Sequence, residues 1–224
     1  MNKLILSSLF FSTLFLFVCD NTVSTEDPSL NLVYCSVIGN SADQKDIIGS
    51  ASRDNALHVV TTKNGNGLWG SNEEIGFYYL AKTVFNGTLW ATFEKLTGSD
   101  TVVQGGVMIR ASLKGTAAPY AALRLIKDKY DPVARLDSTL NASASGLENT
   151  FQKGDQLFIA CTEKTKTGAV RNLEINVGVN RKNQPLISKK YIISTMSDSL
   201  YIGLFGADRS AAGGSFSVSN VKIE

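Results

Sequence analysis

Apolar side chains recur at every second position in short runs along most of the chain, and polar ones fill the places between them. After the first few residues, no stretch holds the three- and four-residue spacing of a helix through three turns. A period of two marks a strand whose two faces meet different surroundings. On that basis strands are predicted near residues 32–38 (LVYCSVI), 56–61 (ALHVVT), 75–84 (IGFYYLAKTV), 88–96 (TLWATFEKL), 106–112 (GVMIRAS), 119–127 (PYAALRLIK), 132–137 (PVARLD), 156–162 (QLFIACT), 172–180 (NLEINVGVN), 189–194 (KKYIIS), 200–205 (LYIGLF) and 215–223 (SFSVSNVKI). Turn-forming residues punctuate them: Asn64-Gly65-Asn66-Gly67, Asn86-Gly87, Gly98-Ser99-Asp100, Gly115, Asp131-Pro132, Gly146, Lys153-Gly154-Asp155 and Gly213-Gly214. Many short strands so separated predict an all-β, two-sheet antiparallel sandwich, most simply a jelly roll. No internal repeat suggests a propeller.

The first segment breaks the alternation. Lys3 precedes a mostly apolar run from Leu4 to Val18, relieved only by Ser7, Ser8, Ser12 and Thr13. Residues 1–19 therefore read as a secretion signal. The run is shorter than the roughly 20 apolar residues a spanning helix needs, and no comparable run follows. Cys19 comes directly after Leu16-Phe17-Val18, which resembles the bacterial lipoprotein signal with bulkier residues before the cysteine. Two outcomes stay open: a lipid on Cys19, or ordinary cleavage nearby. Both place the mature chain outside the cytoplasm, secreted or at the cell surface, with membrane attachment only through that lipid. Residues 20–31 are a polar spacer containing Pro28, and residues 32–224 form a single β-sandwich domain, a length that suits one all-β unit.

Charge is nearly balanced, with 22 Lys and Arg against 20 Asp and Glu. A nucleic-acid partner is not expected, since such domains usually carry a basic stripe and a pI above about 9. With Cys19 assigned to the leader, Cys35 and Cys161 remain, and parity turns both inward. They are either a disulfide, as an oxidising compartment permits, or two separate buried thiols.

Parity also assigns faces. Val107 and Ile109 face the core, so Arg110 lies opposite with Gly106 and Met108. Leu123 and Leu125 do the same for Arg124, and Ala134 with Leu136 does so for Arg135. Trp90 and Glu94 point outward from the run holding Leu89, Ala91 and Phe93, and Glu174 from the run holding Leu173, Ile175, Val177 and Val179. If these strands share a sheet, Trp90, Glu94, Arg110, Arg124, Arg135 and Glu174 make one exposed wall. Guanidinium forks recognise carboxylates and hydroxyls, and an aromatic face stacks on a sugar ring. The alternative is a solvated sheet whose arginines and glutamates make cross-strand ion pairs worth roughly 0.2 to 1 kcal/mol each. Trp69 in GLWGSNEE, with Glu73 and Glu74 beside it, either lines a groove or packs under a loop. Tyr120 and Tyr130 near strand ends leave the same choice open.

Catalysis has little support. The single histidine, His58, sits between Leu57 and Val59 in a strand. A serine triad needs histidine as its base, and no alternation of carboxylates along one strand occurs. Glu94 and Glu174 would have to lie roughly 5 to 5.5 Å apart to act as a retaining glycosidase pair. Arg110, Gln104, His58 and Tyr201 supply the residue types of a polysaccharide lyase without a motif. No dense acidic loop exists, so no metal and no cofactor is assigned.

Four pieces resemble a family of secreted sandwich modules, the enolase-regulation-protein-like family: DIIGSA (46–51), GLWGSNEEIGFYYL (67–80), GGVMIRAS (105–112) and YIGLFGADRSAAGGSFSVSNVKI (201–223). The resemblance implies a concanavalin A/laminin G-like jelly roll. It also implies carbohydrate or surface binding, because relatives accompany glycan-active or surface proteins. The chain departs from the family where relatives carry a DG..W hairpin; VNRKNQPLISKKY (179–191) has no tryptophan. Three functions follow as expectations: an exported non-catalytic module binding carbohydrate or another surface polymer, a glycan-active enzyme on a jelly roll, or a structural surface protein without a small ligand.

Overall fold

The computed structural model describes residues 32–38, 48–54, 57–65, 67–69, 72–80, 85–98, 102–113, 118–137, 143–144, 146, 150–182, 184, 186–198 and 200–224. For 32–38, 48–50, 52–54, 69, 72, 74, 80 and 143–144 the description covers the backbone alone. The signal segment, Cys19 and the spacer lie outside the described residues.

Two antiparallel sheets face one another, as the alternation predicts. The first runs β1 (Leu32–Ile38), β5 (Asn72–Leu80), β14 (Tyr201–Ala207), β7 (Gln104–Arg110), β8 (Tyr120–Ile126), β9 (Lys129–Arg135) and β10 (Ser143–Ala144), with β4 (Gly67–Trp69) paired to β5 alone. The second runs β13 (Ile187–Thr195), β12 (Val170–Asn180), β11 (Gln156–Thr167), β6 (Asn86–Thr97), β15 (Gly214–Ile223), β3 (Leu57–Lys63) and β2 (Ile48–Asp54). Strand order is far from chain order: β15 slots between β6 and β3, and β14 between β5 and β7. Such crossings join the two halves of the chain into one core.

That core is built by the inward positions. Val107 and Ile109 of β7, Leu123 and Leu125 of β8, Leu89, Ala91 and Phe93 of β6, Leu157 and Ile159 of β11, and Leu173, Ile175, Val177 and Val179 of β12 form one buried cluster. Each fully buried aliphatic of this kind contributes roughly 1.5 to 3 kcal/mol. A second cluster lies on the other side of the first sheet: Leu68, Ile75, Phe77, Met108, Tyr120, Ala122, Val133, Phe205 and Ala207. An outer face with its own buried cluster is a covered face. Its cover is the β4–β5 hairpin.

Of the two alternatives left open for the cysteines, Cys161 takes the separate one. Cys161 is a free, buried thiol on β11, whereas Cys35 lies on β1, the edge strand of the opposite sheet. β11 packs across from β7 and β8, and β1 is three strands from β7, roughly 14 Å at a spacing of about 4.8 Å. A disulfide requires Cα atoms within about 7 Å.

Candidate functional site

The register of the first sheet aligns four side chains across four neighbouring strands: Tyr201 opposite Arg110, Arg110 opposite Tyr120, and Tyr120 opposite Arg135. All share the parity of Met108 and Ala122, so all stand on the outer face. Two residues along lies a row of small and apolar side chains, Gly203, Met108, Ala122 and Val133. Two further along, Phe205, Gly106, Arg124 and Asp131 complete the face. Gly106 has a packing reason to lack a side chain, because a Cβ there would meet the Leu123 carbonyl at 1.9 Å.

These arginines are not an exposed wall. Arg110, Arg124 and Arg135 are 0%, 2% and 1% exposed. Glu73 covers two of them, with Oε2 accepting from Arg110 and Oε1 from Arg135. The Arg110 Nε–H also donates to the Ser112 carbonyl at 2.5 Å. Arg124 is held by Asp131 through Nε at 3.1 Å and through its second amino group, and donates to the Leu68 carbonyl at 2.9 Å. Gln104 Oε1 accepts the Leu68 amide at 3.2 Å. The level of Arg110 corresponds to a position two beyond Tyr79 on β5. Were β5 flat, Glu73 would therefore stand about eight residues away, roughly 27 Å. Its carboxylate reaches Arg110 because the β4–β5 hairpin, in which Leu68 pairs with Glu73, turns back across the face.

Among the described residues, two buried polar groups on this face find no partner: the Tyr120 hydroxyl and Gln104 Nε2. Burial pushes the Tyr120 hydroxyl up to about 12, against the pull of Arg135, Arg110 and Arg124, so it stays protonated as a donor. The Arg135 guanidinium lies 5.5 Å from the Tyr120 ring centre, and burial moves its pKa down. At the rim, half-buried Tyr79 and Tyr201 meet edge to face with centroids 5.2 Å apart. The face thus holds guanidinium and hydroxyl groups beneath the hairpin, with a half-buried aromatic pair at its rim.

The remaining predicted residues lie on the opposite sheet. Trp90 and Glu94 are on β6 and Glu174 on β12, so the single wall divides in two; alternation sets a residue's face but not which strands share a sheet. Trp90 packs on Phe158 at 5.1 Å. Glu94 accepts from Ser219 at 2.5 Å and pairs with Lys153 at 3.2 Å; the Ser219 hydrogen bond, opposed by partial burial and helped by Lys153, holds its carboxyl below the usual range. Glu174 pairs with Lys164 at 3.4 Å and Lys190 at 3.7 Å. This face is the solvated, ion-paired alternative. Glu174 is level with Asn86 and Thr162, eight residues from Glu94, so the two carboxylates stand roughly 27 Å apart along the strands. They cannot act as a glycosidase pair.

The lyase-like set divides as well. Gln104, Arg110 and Tyr201 share the outer face, but His58 is buried on β3 on the core side, its ring tilted at 42° to that of Tyr78 with centroids 5.9 Å apart. Tyr130 is also inward, in the main core. Among the described residues no group of three or more His, Cys, Asp or Glu could hold a metal ion.

Glu73 was visible in the sequence only as a loop carboxylate beside Trp69. No signal in the sequence singled it out, because its pairing with Leu68 and its place over the arginines come from the fold.

No family model matches the chain, and no curated protein matches it in sequence. Among solved structures, a functionally unknown protein from Saccharomyces cerevisiae aligns with a TM-score of 0.55 at 14% identity, over 83% of this chain and 95% of that one. The metal-free carbohydrate recognition domain of Emp46p aligns at 0.44 and 14% identity, over 92% and 95% of the two chains. The kappa-carrageenase from Pseudoalteromonas carrageenovora, in complex with an oligotetrasaccharide of kappa-carrageenan, aligns at 0.45 and 9% identity, over 80% and 82%. The chain is an all-β, two-sheet antiparallel jelly-roll sandwich.

Proposed function

We propose that this chain is an exported, non-catalytic sandwich module that binds carbohydrate or another surface polymer on the outer face of its first sheet. Export rests on the leader at 1–19, and a lipid on Cys19 is the only membrane attachment proposed. Membership of the enolase-regulation-protein-like family rests on the four matching pieces. The observation that carries the binding site is the row Tyr201, Arg110, Tyr120, Arg135, with the unpartnered Tyr120 hydroxyl inside it and the Tyr79–Tyr201 pair at its edge. Donors beside an aromatic rim suit a sugar's hydroxyls and its apolar ring face. The roughly 27 Å between Glu94 and Glu174 supports a module without glycosidase chemistry there.

The test is a polysaccharide panel with wild type and Tyr201→Ala. Losing one aromatic contact of roughly 1.4 kcal/mol lowers affinity about tenfold. A blank panel, or binding untouched by Tyr201→Ala, contradicts the proposal. One observation favours the second reading, a structural surface protein: Glu73 and Asp131 already pair with Arg110, Arg135 and Arg124. A blank panel with an intact fold is the outcome that reading requires.

A further inference from the structure

β13 ends the second sheet, and among the described residues no strand pairs with its far side. Its ladder with β12 runs without a bulge from Ile187 opposite Val179 to Thr195 opposite Arg171. In such a ladder the N–H and C=O of one residue point to one neighbouring strand, and those of the next residue point the other way. The Ser194 amide donates to the Leu136 carbonyl at 3.3 Å, off the ladder, so Ser194 belongs to the set aimed away from β12. By the same alternation Ser188, Lys190 and Ile192 turn their main-chain groups to the open edge. All five exposed large apolar side chains among the described residues lie along or beside this strand. Leu186 and Met196 flank β13, Ile192 stands in it, Val170 precedes the Arg171 that pairs with Thr195, and Leu136 holds Ser194. Apolar residues scattered singly on a surface need no explanation, whereas a group gathered on one open edge marks a contact surface.

Charge selects the occupant. The strand, ISKKYIIST, carries two lysines and no carboxylate. Being consecutive, Lys189 and Lys190 point to opposite faces of the sheet, and both are exposed. Lys190 shares Glu174 with Lys164, and Lys189 forms no ion pair among the described residues. Lysines on an edge strand guard it against pairing with another copy. That guard holds here, because a second β13 laid along this one brings two more lysines and nothing to neutralise any of them. A strand with carboxylates at two successive positions answers both lysines, one on each face.

We propose that β13 receives an extended acidic segment of another protein as an added antiparallel strand, with carboxylates opposite Lys189 and Lys190 and an apolar side chain opposite Ile192. Main-chain bonds to Lys190 and Ile192 supply the grip, and the side chains supply the selectivity. The surface is separate from the proposed glycan face, which lies on the other sheet. The probe is the acetylated and amidated peptide Thr-Val-Thr-Glu-Glu-Thr-Val, whose first valine falls opposite Ile192 and whose glutamates fall opposite Lys190 and Lys189. It should bind about tenfold more tightly than the same peptide with lysines for glutamates, because two attractive cross-strand pairs replace two repulsive ones. The double variant Lys189→Glu, Lys190→Glu should reverse that preference. Hydrogen exchange on the unaltered protein reads the backbone: the peptide should slow the Lys190 and Ile192 amides and leave those of Tyr191 and Ile193, which face β12, unchanged. Tyr201→Ala should bind the peptide as wild type does.

Several outcomes overturn the proposal. Equal affinity for the two peptides, or a preference that survives the charge reversal, removes the acidic partner. Slowing of all four amides alike, or of none, removes strand addition, and that measurement decides the matter if the double variant does not fold. Slowing of the Lys190 and Ile192 amides with rising protein concentration and no peptide gives the edge to a second copy instead. Loss of peptide binding in Tyr201→Ala moves the peptide to the glycan face and ends the proposal. Charge-selective peptide binding beside a blank polysaccharide panel leaves this proposal standing and removes the glycan reading.

Discussion

Asp155 ties the end of β11 to the rest of the sandwich, and replacing it by asparagine has a calculable effect. Its Oδ1 accepts from Arg181 Nε at 2.6 Å; its Oδ2 accepts from a second Arg181 nitrogen at 2.6 Å, from the Gln152 amide at 2.7 Å and from the Tyr130 hydroxyl. The Phe93 amide donates to its carbonyl at 2.8 Å. Burial alone would push the carboxyl up, yet the Arg181, Tyr130 and Gln152 donors outweigh it and hold the group below the usual carboxylate range. The Asp155 side chain is 3% exposed and that of Arg181 15%. Breaking a buried pair costs roughly 3 to 5 kcal/mol. The partial solvation of Arg181 favours the low end, so Asp155→Asn should lose about 3 kcal/mol at pH 7. For a domain of this size each kcal/mol moves Tm by about 2 to 4 °C, giving a fall of roughly 6 to 12 °C. A carboxylate whose folded pKa is depressed contributes stability above its unfolded value near 4, and loses it as pH falls through the folded value. Melting both proteins by circular dichroism from pH 7 to pH 3 should therefore show the gap narrowing below about pH 4. A gap under 2 °C at pH 7, or one that stays constant into acid, would refute the reasoning.

Two further outcomes follow from close packing and from the cysteine placement. Gly106→Ala would drive a Cβ to 1.9 Å from the Leu123 carbonyl, so β7 and β8 must part, at a cost of about 1 to 3 kcal/mol; a thermal melt indistinguishable from wild type would show that the strands yield freely. Burial, with Glu163 adding to it, pushes the Cys161 thiol up to about 12. Alkylating reagent should therefore spare it in the native protein and label it after unfolding without reductant, whereas a requirement for reductant would mean Cys161 is bonded.

Alternation made the architecture legible, because inward positions are apolar on strands such as β6 and β12, whose other face is more exposed. Three strands escaped it, each for a local reason. IGSASRD on β2 is mostly small or polar, β4 has three residues, and β10 two. The outward parity of Arg110, Arg124 and Arg135 was equally readable, since Val107, Ile109, Leu123, Leu125 and Ala134 all join the core. Their burial was not. A period of two says which side of a sheet a residue takes, and is silent on whether another segment lies over that side. NEEIGF reads as a polar approach to a strand, yet it folds back so that Glu73 becomes wholly buried. Strand pairing was hidden as well. Trp90, Glu94 and Glu174 have the outward parity of the arginines but belong to the other sheet, and only the ladders separate the two groups.

The most direct test is to map where an oligosaccharide from the polysaccharide panel touches the protein by amide and side-chain NMR shifts. The account predicts changes at Tyr79, Tyr201, Arg110, Tyr120 and Arg135. Changes confined to Trp90, Phe158 and Glu174 on the opposite sheet, or none at saturating oligosaccharide, would contradict it.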